Sequence, residues 1–239
     1  MSGPRLDVPD WVRVDAVDAE GMRVTAQARL PSGLRDGPVE LRIRSEGGVL
    51  AVREVVVGST LPACCPELHV VLGGDFCLGA ESDGHFDAEQ REAFWRRLED
   101  FLLNQRYARR HRRWPAGRWL SHGPTAALSQ LKAERLAAAN GWREEYADAL
   151  ENRRGWLASA LPRPNRRGGL VNGRTACPRG CRRRDGAPML RRKCPKRADL
   201  ETLVLIERAR REAEARYVNT LRAAGVACCG RVDGCPLQS

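Results

Sequence analysis

The sequence predicts an α+β protein: an antiparallel β-meander with following helices, plus a small cysteine-rich helical tail. Three observations predict it. Apolar residues alternate at period two through the first third, they recur at helical spacing from residue 94 onward, and six of the nine cysteines fall after residue 174. At 239 residues the chain is long enough to bury a core without disulfide staples.

Alternation runs through MRVTAQARL (Met22, Val24, Ala26, Ala28, Leu30), VELRIR (Val39, Leu41, Ile43) and VLAVREVVV, bounded by the turn signals PSGLRDGP and SEGG. This is a meander with one wet face. Gly58 and Pro62 then lead into CCPELHVVLGGDFCLG, residues 64–79, which lacks helical periodicity and reads as an extended flap turned at Gly73 and Gly74. Asp87 is placed to cap a helix carrying Phe94, Leu98, Phe101, Leu102 and Gln105 on one stripe and stopping before Pro115. A second helix is expected from Pro124 to Gly141 with Leu128, Leu131 and Leu136 as its inner face, and a third from Arg143 to Leu161, weakened at Gly155. The Pro, Gly and Arg of LPRPNRRGGLVNGR, residues 161–174, mark a domain boundary. Beyond it one long helical pattern, ADLETLVLIERARREAEARYVNTLRAAG, ends at Gly225.

Charge is unevenly spread. Residues 1–100 hold 11 basic against 18 acidic side chains, and residues 101–239 hold 30 against 12. Residues 151–200 alone hold 15 basic and 3 acidic ones, enough to draw a phosphate backbone or an acidic protein, or simply to form a solvated connector. The N-terminal segment mixes acids and Trp11 where a signal peptide needs an apolar run, and no stretch has the length of a membrane span. A cytoplasmic protein with no membrane partner is expected, and in a reducing compartment its cysteines are thiols or metal ligands. Only Lys132, Lys193 and Lys196 are lysines; a GC-rich genome explains that, and a protein holding an activated acyl group also gains from few nearby amines.

Residues 64–79 allow three chemistries. As a metal site, Cys64, Cys65, His69 and Cys77 supply four ligands, but adjacent residues of an extended chain point to opposite faces, which argues against Cys64 and Cys65 sharing one ion. As a nucleophile, Cys77 is a thiol on an exposed turn with His69 across from it as oxyanion donor or base. A buried, inert cysteine beside a satisfied histidine is the plainest alternative.

The pattern Cys77-Leu78, with Gly74 three residues before the cysteine and His69 eight before it, resembles the active-site flap of the ubiquitin-conjugating enzymes. That family has a four-stranded meander, a proline-rich turn, His-Pro-Asn, a glycine-bearing loop, Cys-Leu and then helices. His69 falls on the family's Asn, and Glu67 and Leu68 take the two places before it, so the His-Pro-Asn triplet is absent. The flap and RRWPAGRWLSHG look most like bacterial members of this UBC-like family, encoded beside ubiquitin-like proteins or in antiphage defence operons. The resemblance covers residues 10–110 and implies transthiolation. Cys77 would take a ubiquitin-like protein from an activating enzyme as a thioester and pass it to a protein target. His122, in LSHG, is a second candidate for the site, or an ordinary loop histidine. No P-loop is present, so no nucleotide of its own is expected. The expected domains are a UBC-like conjugating domain with a helical extension at 1–160 and a basic linker with a cysteine-rich tail at 161–239.

In the tail, Cys177 and Cys181 form one knuckle, Cys194 adds a ligand, and Cys228, Cys229 and Cys235 complete the pool for a structural zinc. The competing reading is a nucleic-acid-binding zinc protein that uses the basic C-terminal half.

Overall fold

A computed structural model describes residues 8–46, 49–78, 88–117, 120–165, 170–171 and 173–238. Asp87, the expected cap of the first helix, lies outside the described residues. Four strands form one antiparallel sheet in sequence order: β1 (Val12–Asp18), β2 (Gly21–Ala26), β3 (Val39–Glu46) and β4 (Val49–Glu54). Register follows the alternation. Val24 pairs with Val14 on one side and Leu41 on the other, Ile43 pairs with Val52, and Val24, Leu41, Ile43 and Val52 all turn to the core. The ladder slips by one residue between Val14 and Ala16, and beyond that irregularity Val17 is exposed.

The apolar run after residue 49 was expected to continue to Val57. It stops at Glu54, whose buried carboxylate turns the chain. That carboxylate accepts hydrogen bonds from the backbone N–H groups of Gly58, Thr60 and Leu61 and from the Ser59 hydroxyl, leaving Val56 and Val57 outside. A buried carboxylate is tolerated here because it is fully engaged.

Then comes α1 (Ala88–His111), whose Phe94, Trp95, Leu98, Phe101, Leu102, Gln105 and Ala108 form one buried stripe. Trp95 meets Trp11 edge-on at 6.0 Å, and Phe101 stacks on Phe76 at 4.5 Å.

Three further helices follow: α2 (Pro124–Ala139), α3 (Arg143–Glu151) and α4 (Arg197–Ala223). On α2 the buried face is Ala126, Ala127, Gln130, Ala133 and Ala137, while Leu128 is 52% exposed. Of the leucines expected to face inward, Leu136 packs against the second unit's core, whereas Leu128 lies outside the packed face. Gln130 tolerates burial because its Oε1 accepts from Ser121 N–H and its Nε2 donates to Glu134. Helix α3 ends ten residues before the expected Leu161, since Arg153 and Gly155 both take positive φ and turn the chain back so that Trp156 Nε1 donates to Glu145.

The chain divides into two compact units, Met1–Pro115 with Val218–Ser239, and Ala116–Tyr217. The second has its own core, built by Ala133, Ala137, Trp142, Tyr146, Leu157, Leu170, Leu203 and Val204. Residues 160 and 161, where the sequence suggests a boundary, lie inside it, and the basic stretch that follows contributes Leu170 and Cys177 to that core. Among the described residues no helix is long and apolar enough to cross a membrane.

Candidate functional site

The flap begins where Pro66–Leu68 forms a single 3-10 turn that ends at His69 in the left-handed conformation, φ 54°. That reversal lets Cys65 and Val70 pair, Cys65 N–H to Val70 O at 2.8 Å and Val70 N–H to Cys65 O at 3.1 Å. A second reversal follows at Gly73 and Gly74, both with positive φ. A Cβ on Gly74 would lie 2.6 Å from Val57 Cγ1, so the turn needs glycine there for space as well as for φ. Past it, Val70 pairs with Phe76, and Cys77 N–H donates to the His69 carbonyl at 2.8 Å. His69 and Cys77 are therefore opposite one another across the Gly-Gly turn.

The returning limb is held by the sheet and by α1. The backbones of Arg53 and Asp75 pair in a short antiparallel β-bridge, Phe76 N–H donates to Val52 O at 2.7 Å, and the Asp75 carboxylate binds Arg44 at 2.9 and 3.0 Å. From α1 the fully buried Gln105 donates its side-chain amide to the Leu68 carbonyl. His69 is 7% exposed, and its ring centre lies 4.6 Å from that of Trp114. Cys77 itself is half-buried. A partly exposed thiol on a pinned backbone suits acyl transfer, since the sulfur stays accessible while the chain that carries it stays fixed. Trp114 and Gln105 are the two supports that sequence spacing did not assign to the site; Gln105 was read only as part of an apolar stripe.

His122 is in the other unit, buried, with its backbone N–H donating to Glu214 at 3.0 Å. The six tail cysteines divide between the units: Cys177, Cys181 and Cys194 in the second, Cys228, Cys229 and Cys235 in the first. Within the second, Cys181 hydrogen-bonds Cys177, and burial followed by that bond pushes the Cys181 thiol up. Within the first, the Cys229 Sγ lies 3.1 Å from the Sγ of Cys65. That contact pushes the pKa of Cys65 well above the thiol range and lowers that of Cys229 to about 6. Burial raises Cys235 to about 11. Among the described residues no three or more His, Cys, Asp or Glu side chains stand ready-formed around one point.

Two family models match the chain. Residues 13–116 match the prokaryotic E2 domain, and residues 121–237 match the cysteine-rich domain, C-terminal to E2 domain. No curated protein and no solved structure matches it.

Proposed function

We infer, from a chain that carries a prokaryotic E2 domain followed by the cysteine-rich domain that accompanies it, that the protein holds a ubiquitin-like protein as a thioester on Cys77 and transfers it to a target. An E2 domain implies a ubiquitin-like partner and an E1-type activating enzyme. The observation that supports Cys77 as the carrier is its place on the flap, half-exposed and tied through its own N–H to the His69 carbonyl.

In the first step the Cys77 thiolate attacks the thioester carbonyl on the activating enzyme. A new C–S bond forms, the old one breaks, and the activating enzyme's cysteine leaves as thiolate. In the second, an acceptor amine attacks, the C–N bond forms, Cys77 leaves as thiolate and the amine's proton goes to a base. His69 serves the oxyanion or that base, held in place by Trp114. The resemblance of the flap to bacterial members of the family supports a reading in which this reaction serves an antiphage operon. His122 is buried and its backbone N–H donates to Glu214, which supports a structural part for it. Zinc held by tail cysteines is part of this reading, and the conjugating domain is taken to include the flap and α1.

The test is an adduct. The purified chain, its neighbouring ubiquitin-like protein, the activating enzyme and ATP are expected to give a thiol-sensitive species that Cys77→Ala abolishes. An adduct that survives in Cys77→Ala, or that resists thiol in the parent, would sink the assignment.

A further inference from the structure

Cys65 and Cys229 stand 164 residues apart in the chain, yet their sulfurs lie 3.1 Å from each other, and both residues belong to the first unit. Each is presented by backbone that other contacts hold. Cys65 exchanges two hydrogen bonds with Val70 at the foot of the flap, giving one at 2.8 Å and accepting one at 3.1 Å. The C-terminal segment around Cys229 is docked without help from sulfur. Asp233 N–H donates to Arg112 O at 2.8 Å, the Arg112 guanidinium reaches the Asp233 carboxylate and the Gly230 carbonyl, and Arg231 donates to Thr60 O. Val232 and Leu237 of that segment are buried.

The two thiols differ in access. Cys65 is 1% exposed, whereas Cys229 is half-buried and lines an open groove with Pro62, Ala63, Cys64 and Val226. A small solute in that groove meets Cys229 while Cys65 stays shielded. From 3.1 Å, closing an S–S bond of ~2.05 Å takes about 1 Å of approach between sulfurs that their backbones already bring together.

We propose that Cys65 and Cys229 form a peroxide-responsive dithiol whose oxidation fastens the C-terminal segment covalently to the foot of the flap. The substrate class is a hydroperoxide, hydrogen peroxide being the simplest. The Cys229 sulfur attacks one peroxide oxygen; an S–O bond forms, the O–O bond breaks, and the leaving oxygen takes the thiol proton and departs as water. The Cys65 sulfur then attacks the sulfenic sulfur; the S–S bond forms, the S–O bond breaks, and the hydroxyl leaves as water with the Cys65 proton. Two electrons pass from the sulfur pair to the peroxide. Two equivalents of a thiol reverse the step, the first attacking Cys229 from the groove and releasing Cys65, the second freeing Cys229. In a reducing compartment the pair rests as thiols and the link is transient. Because Cys65 pairs with Val70, next in sequence to His69, the link holds the base of the flap as well as the segment. It also restricts the unfolded chain by closing a long loop. The inference does not depend on thioester transfer at Cys77, and a metal that took Cys229 as a ligand would block it.

The experiment uses the full chain, reduced, with and without a chelator, treated with hydrogen peroxide, alkylated and mapped by non-reducing peptide mass spectrometry. The expected result is a peptide pair joined through Cys65 and Cys229 that a thiol reductant separates, with slower amide exchange at Val70 in the oxidised chain. Cys64→Ser is expected to keep the link. In Cys65→Ser the link is lost and Cys229 accumulates as a sulfenic acid that a diketone probe traps, a signature of the missing second thiol. The map of the parent chain stands whether or not that variant folds. A link from Cys229 to Cys64 or Cys228 in place of Cys65 would overturn the proposal. So would a Cys229 that stays a thiol with and without chelator, or Val70 exchange that oxidation leaves unchanged.

Discussion

His69 does two things at one position. Its backbone takes φ 54° to close the turn onto Cys65, and its ring packs on Trp114. Alanine would lose the ring and also pay ~1 kcal/mol for the left-handed backbone. Asparagine tolerates that backbone and serves as the conformational control. For His69→Ala we expect loading of Cys77 to survive and single-turnover discharge to slow on the order of a hundredfold, the scale of a lost oxyanion donor or general base. His69→Asn is expected to keep the parent's thermal midpoint. Discharge in His69→Ala at the parent's rate would show the imidazole to be packing only. The pairing of Cys77 with His69 was legible from the sequence because two glycines announce the turn between them. The burial of the ring was not, since Trp114 sits 45 residues further along and only α1 brings it back.

At the scale of elements, the second unit is organised around a buried charge cluster on α4. Glu207 is held by Arg210 and Arg211 and accepts the Tyr146 hydroxyl at 3.1 Å, while Arg210 also binds Ser121 and Glu214. Burial pushes the Glu207 carboxyl up, but hydrogen bonds and charge from Arg210 and then Arg211 outweigh it, and its pKa is lowered. A carboxyl lowered in the folded state stabilises above its unfolded pKa of about 4.3, and that stability is lost as pH falls through the folded value. Denaturant melts between pH 6 and 2 should therefore lose stability steeply below pH 4, and Glu207→Gln should flatten that loss. The same variant is expected to cost about 3 kcal/mol at pH 7, because Arg210 loses a buried partner. Equal acid slopes in the two proteins would remove Glu207 from the account. Helix α4 was legible as a long amphipathic pattern. The inner face of α2 was legible only in part: Leu136 packs on the core, but Leu128 stays outside while small alanines permit the close approach, a choice made by the neighbouring helix surface.

For the whole molecule, the C-terminal residues belong with the first unit, although the cysteine-rich family match runs from 121 to 237. Burial of Val232, Cys235 and Leu237 is worth about 5 kcal/mol by area, which is comparable with the total stability of a small domain. A chain ended after Gly225 is expected to show a lower unfolding midpoint for the first unit, with faster amide exchange at Val70 and Cys77. An unchanged midpoint would make the segment an appendage.

Amino-acid order by itself determined the meander, the helical stripe of α1, the Gly-Gly flap and the position of Cys77, because period, turn residues and spacing are local properties that a chain carries in any surroundings. Only the tertiary structure decided that Glu54 ends the last strand, that α2 packs through alanine, and that the six tail cysteines separate into two groups, one of them joined by Cys65. The strand end depends on the burial that lets Glu54 gather the N–H groups of the following turn, and the other two on a fit between surfaces or on a partner more than a hundred residues away, and no local pattern encodes which group will arrive.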